Sequence, residues 1–359
     1  MPLNSSLVSK SQRVRESERP KRILIFEVNW LGDVLFSTPA IRAIRKKYSD
    51  SHIAALVVPR CREVLEHNPD LNEIISYQEK GDHRSLWGKW RLVRDLRRRK
   101  FDLAFIFHRS FTRALMVYLA GIPDRVGYAA KGRGFLLTRP VAVPSGKLHK
   151  VEYFLQLVRQ SGIDSCGKAY GFYVSDDDRA WVLNFFTEHN ITPADFLVVL
   201  NPGGNWEPKR WPADRFAELA NHLVDLHQAR IIITGEHKDK VLAERIAQGM
   251  NSQPISLCGK TSLTQLFALF DRVNLVISGD SGPMHIASAG RARVIALFGP
   301  TSPEITGPSG KDGEFVLWKD VGCEVPCYDF SCSENRCLKA ITVEDVLKVV
   351  KQSLVSQCS

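Results

Sequence analysis

The chain has 359 residues, 44% of them hydrophobic and 25% charged, the balance of a globular protein long enough for two domains. No apolar run approaches the roughly 20 residues of a helical membrane span, which speaks against an integral membrane protein. Lys and Arg number 49 against 39 Asp and Glu, a net charge of +10 that suits an acidic partner such as a nucleotide, a nucleic acid or an anionic membrane surface. Residues 1–20 are polar and lack the apolar core of a secretory signal, so they read as a flexible arm on a cytoplasmic protein.

From Lys21 onward, strand and helix patterns alternate, the mark of parallel sheets covered by helices. Lys21–Val28 reads as a first strand, and Asn29-Trp30-Leu31-Gly32-Asp33 turns out of it into a helix ending near Tyr48. Asp33 is either a helix N-cap or first-turn acid, or a carboxylate facing a cleft where it acts as a general base. A nearby helix N-terminus would keep it ionised, and Gly32 beside it leaves room for a substrate. Further strands are expected at His52–Val58, Glu73–Ser76 and Leu103–Phe107. Lys89–Lys100 predicts a basic amphipathic helix with Trp90, Val93 and Leu96 at helical spacing, either docked on the sheet or lying near an anionic membrane. His108 and Arg109 end the fourth strand. With the glycine-rich, basic stretch Ala120–Gly134, which holds Arg125 and Arg133, they form a candidate site for an anionic substrate; solvated loops are the alternative.

A domain boundary is placed near 175/176, giving an N-terminal domain over 21–175 and a C-terminal domain over 176–359. Ser175-Asp176-Asp177-Asp178 caps a helix reaching about His189, and Phe196–Leu200 starts a second parallel sheet. Gly203 and Gly204 turn out of that strand into a loop where Lys209 and Arg210 stand between two tryptophans and two prolines, placed to neutralise a diphosphate. Arg230–Thr234 is the next strand. Glu236 after it is a candidate for ribose hydroxyls, or a first-turn helix acid. Leu275–Ile277 then runs into Ser278-Gly279-Asp280-Ser281-Gly282-Pro283-Met284-His285: strand, glycine turn, helix N-terminus. Free backbone N–H groups and the positive end of the helix dipole there favour a phosphate. Asp280, Ser281, Gly282 and His285 cluster at that point. Cys323, Cys327, Cys332 and Cys337 follow, at spacings that leave a zinc site, disulfides and free thiols all open.

Taken together, Asn29-Trp30-Leu31-Gly32-Asp33-Val34, Pro202-Gly203-Gly204, Lys209-Arg210-Trp211-Pro212, Gly279 to His285 and Leu297-Phe298-Gly299-Pro300-Thr301 occur in an order that resembles the heptosyltransferases of lipopolysaccharide core synthesis, glycosyltransferase family 9. The heptosyltransferase II branch is the most similar. The resemblance covers about residues 21 to 350. It implies an α/β GT-B fold, two Rossmann-like doubly wound domains facing across a cleft. It also implies inverting transfer of heptose from ADP-heptose to the inner core, at the inner face of the cytoplasmic membrane, by a monomer without cofactor or catalytic metal. By that similarity Asp33 is the base and Lys209 binds phosphate. Glu236 holds the ribose, and Asp280, Ser281, Gly282 and His285 surround the diphosphate and sugar. Alternatives are a transferase using another nucleotide sugar and a nucleotide-sugar epimerase. A nucleic-acid-binding protein lacks any recognised motif, and a nicotinamide enzyme lacks Gly-x-Gly-x-x-Gly after the first strand.

Overall fold

A computed structural model of the chain describes residues 20–309 and 311–355, so the arm over 1–20 lies, Pro20 apart, outside the described residues. In chain order the first half runs β1 (Arg22–Phe26), α1 (Leu31–Lys47), β2 (His52–Val57), β3 (Glu73–Ser76), α2 (Leu86–Arg98), β4 (Leu103–Ile106), α3 (Phe111–Leu119), β5 (Asp124–Tyr128), β6 (Arg139–Val141) and α4 (Lys150–Arg159). The second half runs α5 (Asp176–Glu188), β7 (Leu197–Asn201), α6 (Ala213–His227), β8 (Arg230–Ile233), α7 (Lys240–Gln248), β9 (Ile255–Ser256), α8 (Leu263–Phe270), β10 (Leu275–Gly279), α9 (Gly282–Ala289), β11 (Arg293–Phe298), β12 (Glu314–Trp318) and α10 (Val343–Val355).

The strands form two six-stranded sheets of order β3-β2-β1-β4-β5-β6 and β12-β11-β10-β7-β8-β9. Every pairing is parallel. The central strands carry near-continuous apolar runs because both faces are covered by helices: β1 and β10 bury Ile23 to Phe26 and Leu275 to Ile277 completely. Each sheet is doubly wound, with its reversal of strand order between β1 and β4 and between β7 and β10. Crevices at such reversals, outside the carboxyl ends of the strands, are where this architecture binds ligands. This is the two-domain α/β arrangement of the GT-B fold.

The halves share a core. α4 packs on α1, α5 on α8, and α1 on α9 across the interface. Phe172 stacks on Phe267 at 4.8 Å between ring centroids. Trp211, fully buried, donates its indole N–H to the Ile341 carbonyl at 2.9 Å and so fixes the chain ahead of α10.

Two expectations change. The stretch Ala120–Gly134 is not loop throughout, since β5 runs through it. In α2 the buried face is Gly88, Leu92, Val93 and Leu96, whereas Trp90 stands outside. Among the described residues no helix is long and apolar enough to cross a membrane.

Candidate active site at the facing switch points

The first wall of the cleft is built by the turn from β1 into α1. Trp30 occupies the N-cap and Asp33 lies in the first turn, so the first-turn reading of this acid holds and the N-cap reading does not. Lys150, the first residue of α4, brings its ammonium to 3.8 Å from the Asp33 carboxylate. Burial pushes the Asp33 pKa above its ordinary value. Lys150 and Arg109 pull it back, and Asp280 from the other half raises it further. The helix N-terminus alone therefore does not set this acid's charge. Lys150 and Arg109 flank one ring, that of Tyr153, with the ammonium 6.0 Å and the guanidinium carbon 5.7 Å from its centroid. His108 accepts from the Ser110 N–H at 3.0 Å. Burial and the surrounding arginines push its pKa down to about 4, so it is neutral at physiological pH.

Behind this wall sits a polar network that sequence reading missed. Arg113, nearly fully buried, donates to the Glu27 carbonyl, the Asn29 side-chain oxygen and Glu79, and its guanidinium lies over the rings of Phe26 and Tyr77. It thereby holds the Val28–Trp30 turn that presents Asp33.

The second wall is built at the ends of β7, β8 and β10. Asn201, the last residue of β7, donates to Ser278 at 3.0 Å and to Ser281 at 3.2 Å. Ser281 is at the N-cap of α9, but its side chain turns to Asn201 rather than to the helix. Lys209 donates to the Asp280 carboxylate at 2.5 Å and to the Asp280 carbonyl at 3.1 Å, which draws the Trp206–Trp211 loop over the glycine turn. Gly203 has no room for a side chain, because a Cβ there would meet the Asp239 carboxylate at 2.6 Å; one at Gly204 would meet Lys209 at 3.4 Å. Buried Asp239 caps the turn at Glu236, whose own carboxylate is 70% exposed at the end of β8 beside Lys238.

The walls meet at their glycines. A Cβ on Gly32 would lie 2.7 Å from the His285 ring, and one on Gly282 would lie 3.0 Å from Leu31. Gly32 thus admits His285 rather than leaving open space for a substrate. The His285 ring packs edge-on to Phe36 at 4.6 Å, with Nε2 3.7 Å from Asp280, and burial pushes its pKa down to about 4. The first turns of α1 and α9 are therefore in contact, with Asp33 on one side of the cleft and the Lys209–Asp280 pair on the other.

Other expected residues do not converge here. Arg133 is completely buried, donating to the carbonyls of Tyr128, His108, Ser110 and Ile106. Its guanidinium staples β4 to β5 and has no face left for an anionic substrate. Arg125 lies toward the amino end of β5, away from the cleft, bonded to the carbonyls of Leu136, Ile122 and Pro123. The residues that do stand by Asp33, Lys150 and Tyr153, carry no local sequence signal, because α4 reaches the cleft only through packing on α1. The four clustered cysteines are free thiols lining one cavity. Among the described residues no group of His, Cys, Asp or Glu is arranged to hold a metal ion. The segment instead braces the Lys209 loop, with Phe330 against Trp206 at 4.4 Å and Asn335 donating to the Arg210 carbonyl at 3.1 Å.

Known proteins resemble this chain in sequence and in fold. The family model for glycosyltransferase family 9 (heptosyltransferase) matches residues 89–337. Lipopolysaccharide heptosyltransferase 2 of Escherichia coli (strain K12) is 28% identical over 300 residues, covering 80% of this chain and 85% of that one. Among solved structures, a family 9 glycosyltransferase from Veillonella parvula superposes with a TM-score of 0.83 at 25% identity, covering 94% of this chain and 98% of that one. E. coli ADP-heptose LPS heptosyltransferase II does so with a TM-score of 0.78 at 26% identity, covering 94% and 100%. The family match spans more than half the chain, so the protein is a glycosyltransferase and belongs to glycosyltransferase family 9, the heptosyltransferases.

Proposed function

We propose that the chain transfers heptose from ADP-heptose to the inner core of lipopolysaccharide with inversion at the anomeric carbon, using Asp33 as general base. The names of the similar proteins support the donor and acceptor classes. The observation that carries the mechanism is the abutment of α1 and α9, which sets Asp33 across the cleft from Lys209 and Asp280.

On this reading the donor diphosphate lies over the first turn of α9 and the bare backbone at Gly203 and Gly204. The N–H groups of that turn and Lys209 take its charge. Glu236 is open to the ribose hydroxyls, and Asp280, Ser281 and His285 border the sugar. Lys209 is held by Asp280 at the edge of the anion site, ready to exchange one oxyanion for another. On the acceptor side Arg109 and Lys150 supply positive charge beside Asp33, with His108 neutral next to them. The acceptor oxygen bonds to the anomeric carbon as the bond from that carbon to the diphosphate oxygen breaks. The hydroxyl proton passes to Asp33, and ADP leaves. A carboxylate whose pKa burial has raised is a stronger base than one in water, and the two neighbouring cations favour its ionised form. We also place the domain boundary at 175/176, supported by the packing of α4 on α1 and α5 on α8.

Asp33→Asn tests the base. It keeps size and helix position but takes up no proton, so kcat should fall by roughly 10²–10⁴ with donor affinity nearly unchanged. Turnover within a few-fold of the unmodified enzyme would remove Asp33 from that role.

A further inference from the structure

Three large apolar side chains open α2 on its solvent side. Leu86 is 86%, Trp87 64% and Trp90 48% exposed, and the two indoles stack on each other at 4.9 Å between centroids. Indole is costly to leave in water, and a contiguous exposed apolar patch marks a contact surface. Cations surround it. Arg84, Arg91 and Arg94 are exposed and none has a carboxylate partner among the described residues; the Arg94 guanidinium lies 5.0 Å from the Trp90 ring centroid. At the other end of the helix Arg98 is also exposed, but its neighbours' charge is already used. Arg99 pairs with Glu73 and Asp95, and Arg97 donates to the Leu119 carbonyl. Free positive charge and exposed indole thus coincide on the first turns of α2.

The mounting is firm. Ser85 caps the helix by accepting from the Gly88 N–H at 3.0 Å. A Cβ on Gly88 would lie 1.8 Å from the Asp82 carbonyl, so the preceding loop is packed against the helix start. His83 stacks on Tyr77 at 5.8 Å and accepts from the Gln78 N–H. That loop leaves β3 at its carboxyl end, the same end of the sheet at which β1 presents Asp33.

We propose that Leu86, Trp87 and Trp90, ringed by Arg84, Arg91 and Arg94, form an anchor that enters the headgroup layer of an anionic bilayer. Indoles favour that layer, aliphatic side chains pass just beneath it, and arginines pair with lipid phosphates. The anchor holds the cleft mouth beside the membrane, where a lipid-borne acceptor displays its sugars; this last consequence rests on the function proposed above.

The test is co-sedimentation of the full chain with phosphatidylglycerol–phosphatidylethanolamine vesicles, against phosphatidylcholine vesicles as the uncharged control. Tryptophan quenching by brominated lipid measures insertion. The unmodified chain should bind the anionic vesicles with its indoles quenched. A Trp87→Ser/Trp90→Ser double variant should lose about tenfold or more of that binding. An Arg84→Gln/Arg91→Gln/Arg94→Gln variant should lose its salt sensitivity. Both should keep full transfer to a deacylated, water-soluble acceptor, which shows that they are folded. Equal vesicle binding by the double variant would overturn the anchor. So would a dimer of the unmodified chain that the double variant dissolves, because the patch would then be a subunit contact. Failure of the unmodified chain to transfer to the soluble acceptor, with vesicle binding intact, would refute the function and leave the anchor standing.

Discussion

Glu27 is a carboxyl group removed from water. It lies fully buried just past β1, where the Ser37 hydroxyl donates to it at 3.1 Å, and burial pushes its pKa from 4.5 to about 8. Between those values the folded chain holds a proton that the unfolded chain has released, so the group's stabilising contribution is complete below 4.5 and is lost as pH rises toward about 8. Glu27→Gln keeps the shape and an acceptor for Ser37 but never ionises. Urea midpoints should show the variant near the unmodified protein at pH ~5 and increasingly more stable than it toward pH ~8. An advantage that does not grow with pH would mean that Glu27 is ionised in the folded state. Legibility at this scale depended on how local the signal is. Asp33, Lys209 and Asp280 stand beside glycine turns at strand ends, and the sequence marks such places through backbone requirements of a few residues. Arg133 looks the same in the sequence as a cation waiting for a substrate. Three of the four carbonyls that claim it, those of His108, Ser110 and Ile106, lie 25, 23 and 27 residues away, and no local pattern reports those pairings.

At the scale of elements, the contact between α1 and α9 is set by two residues without side chains. His285, against which Gly32 packs, is almost fully buried and braced by Phe36, so it has no space to retreat from an added methyl group. Gly32→Ala should therefore push the two helices apart. Widening the reacting groups' separation by even a fraction of an ångström lowers kcat by about 10- to 100-fold, because transfer depends on near-contact geometry. Overpacking of this kind costs about 1–3 kcal/mol, visible as a lower Tm. Gly134→Ala is the control, since its Cβ would meet nothing nearer than 3.7 Å. Wild-type turnover by Gly32→Ala would show that the interface closes by some other contact. Elements buried on both faces, such as β1, β7 and β10, were legible as apolar runs. β5 was not: Asp124, Arg125 and Gly127 interrupt it, and only pairing with β4 and β6 makes it a strand. In α2 the periodic positions named Trp90 as core, yet the helix is rotated so that Leu92, Val93 and Leu96 face the sheet. Periodicity gives the existence of an apolar face more reliably than its edge.

At the scale of the molecule, the two sheets do not behave as beads on a linker. One apolar cluster runs from Ile23 and Phe36 of the first half through Phe172 to Phe267, Met284 and Phe298 of the second. Polar ties cross the same boundary. Glu63 accepts from the Leu263 N–H at 2.7 Å, His149 contacts the Gly307 carbonyl at 2.9 Å, and Tyr170 accepts from the Ser309 N–H at 3.1 Å. Opening the interface would expose apolar surface on both halves, so neither half should melt alone even though chains of this length often unfold in stages. Scanning calorimetry should therefore give one transition. ADP, bound at the β7–β10 crevice on the proposed reading, should move the whole transition. At a free concentration of about 100 Kd the stabilisation is about 2.7 kcal/mol, which for a chain of this length is a rise in Tm of about 3–4 °C. Two peaks of which ADP moves only one would contradict the shared core and assign the nucleotide to an independently folding half. A single peak that ADP leaves in place would keep the shared core and remove the nucleotide from the crevice.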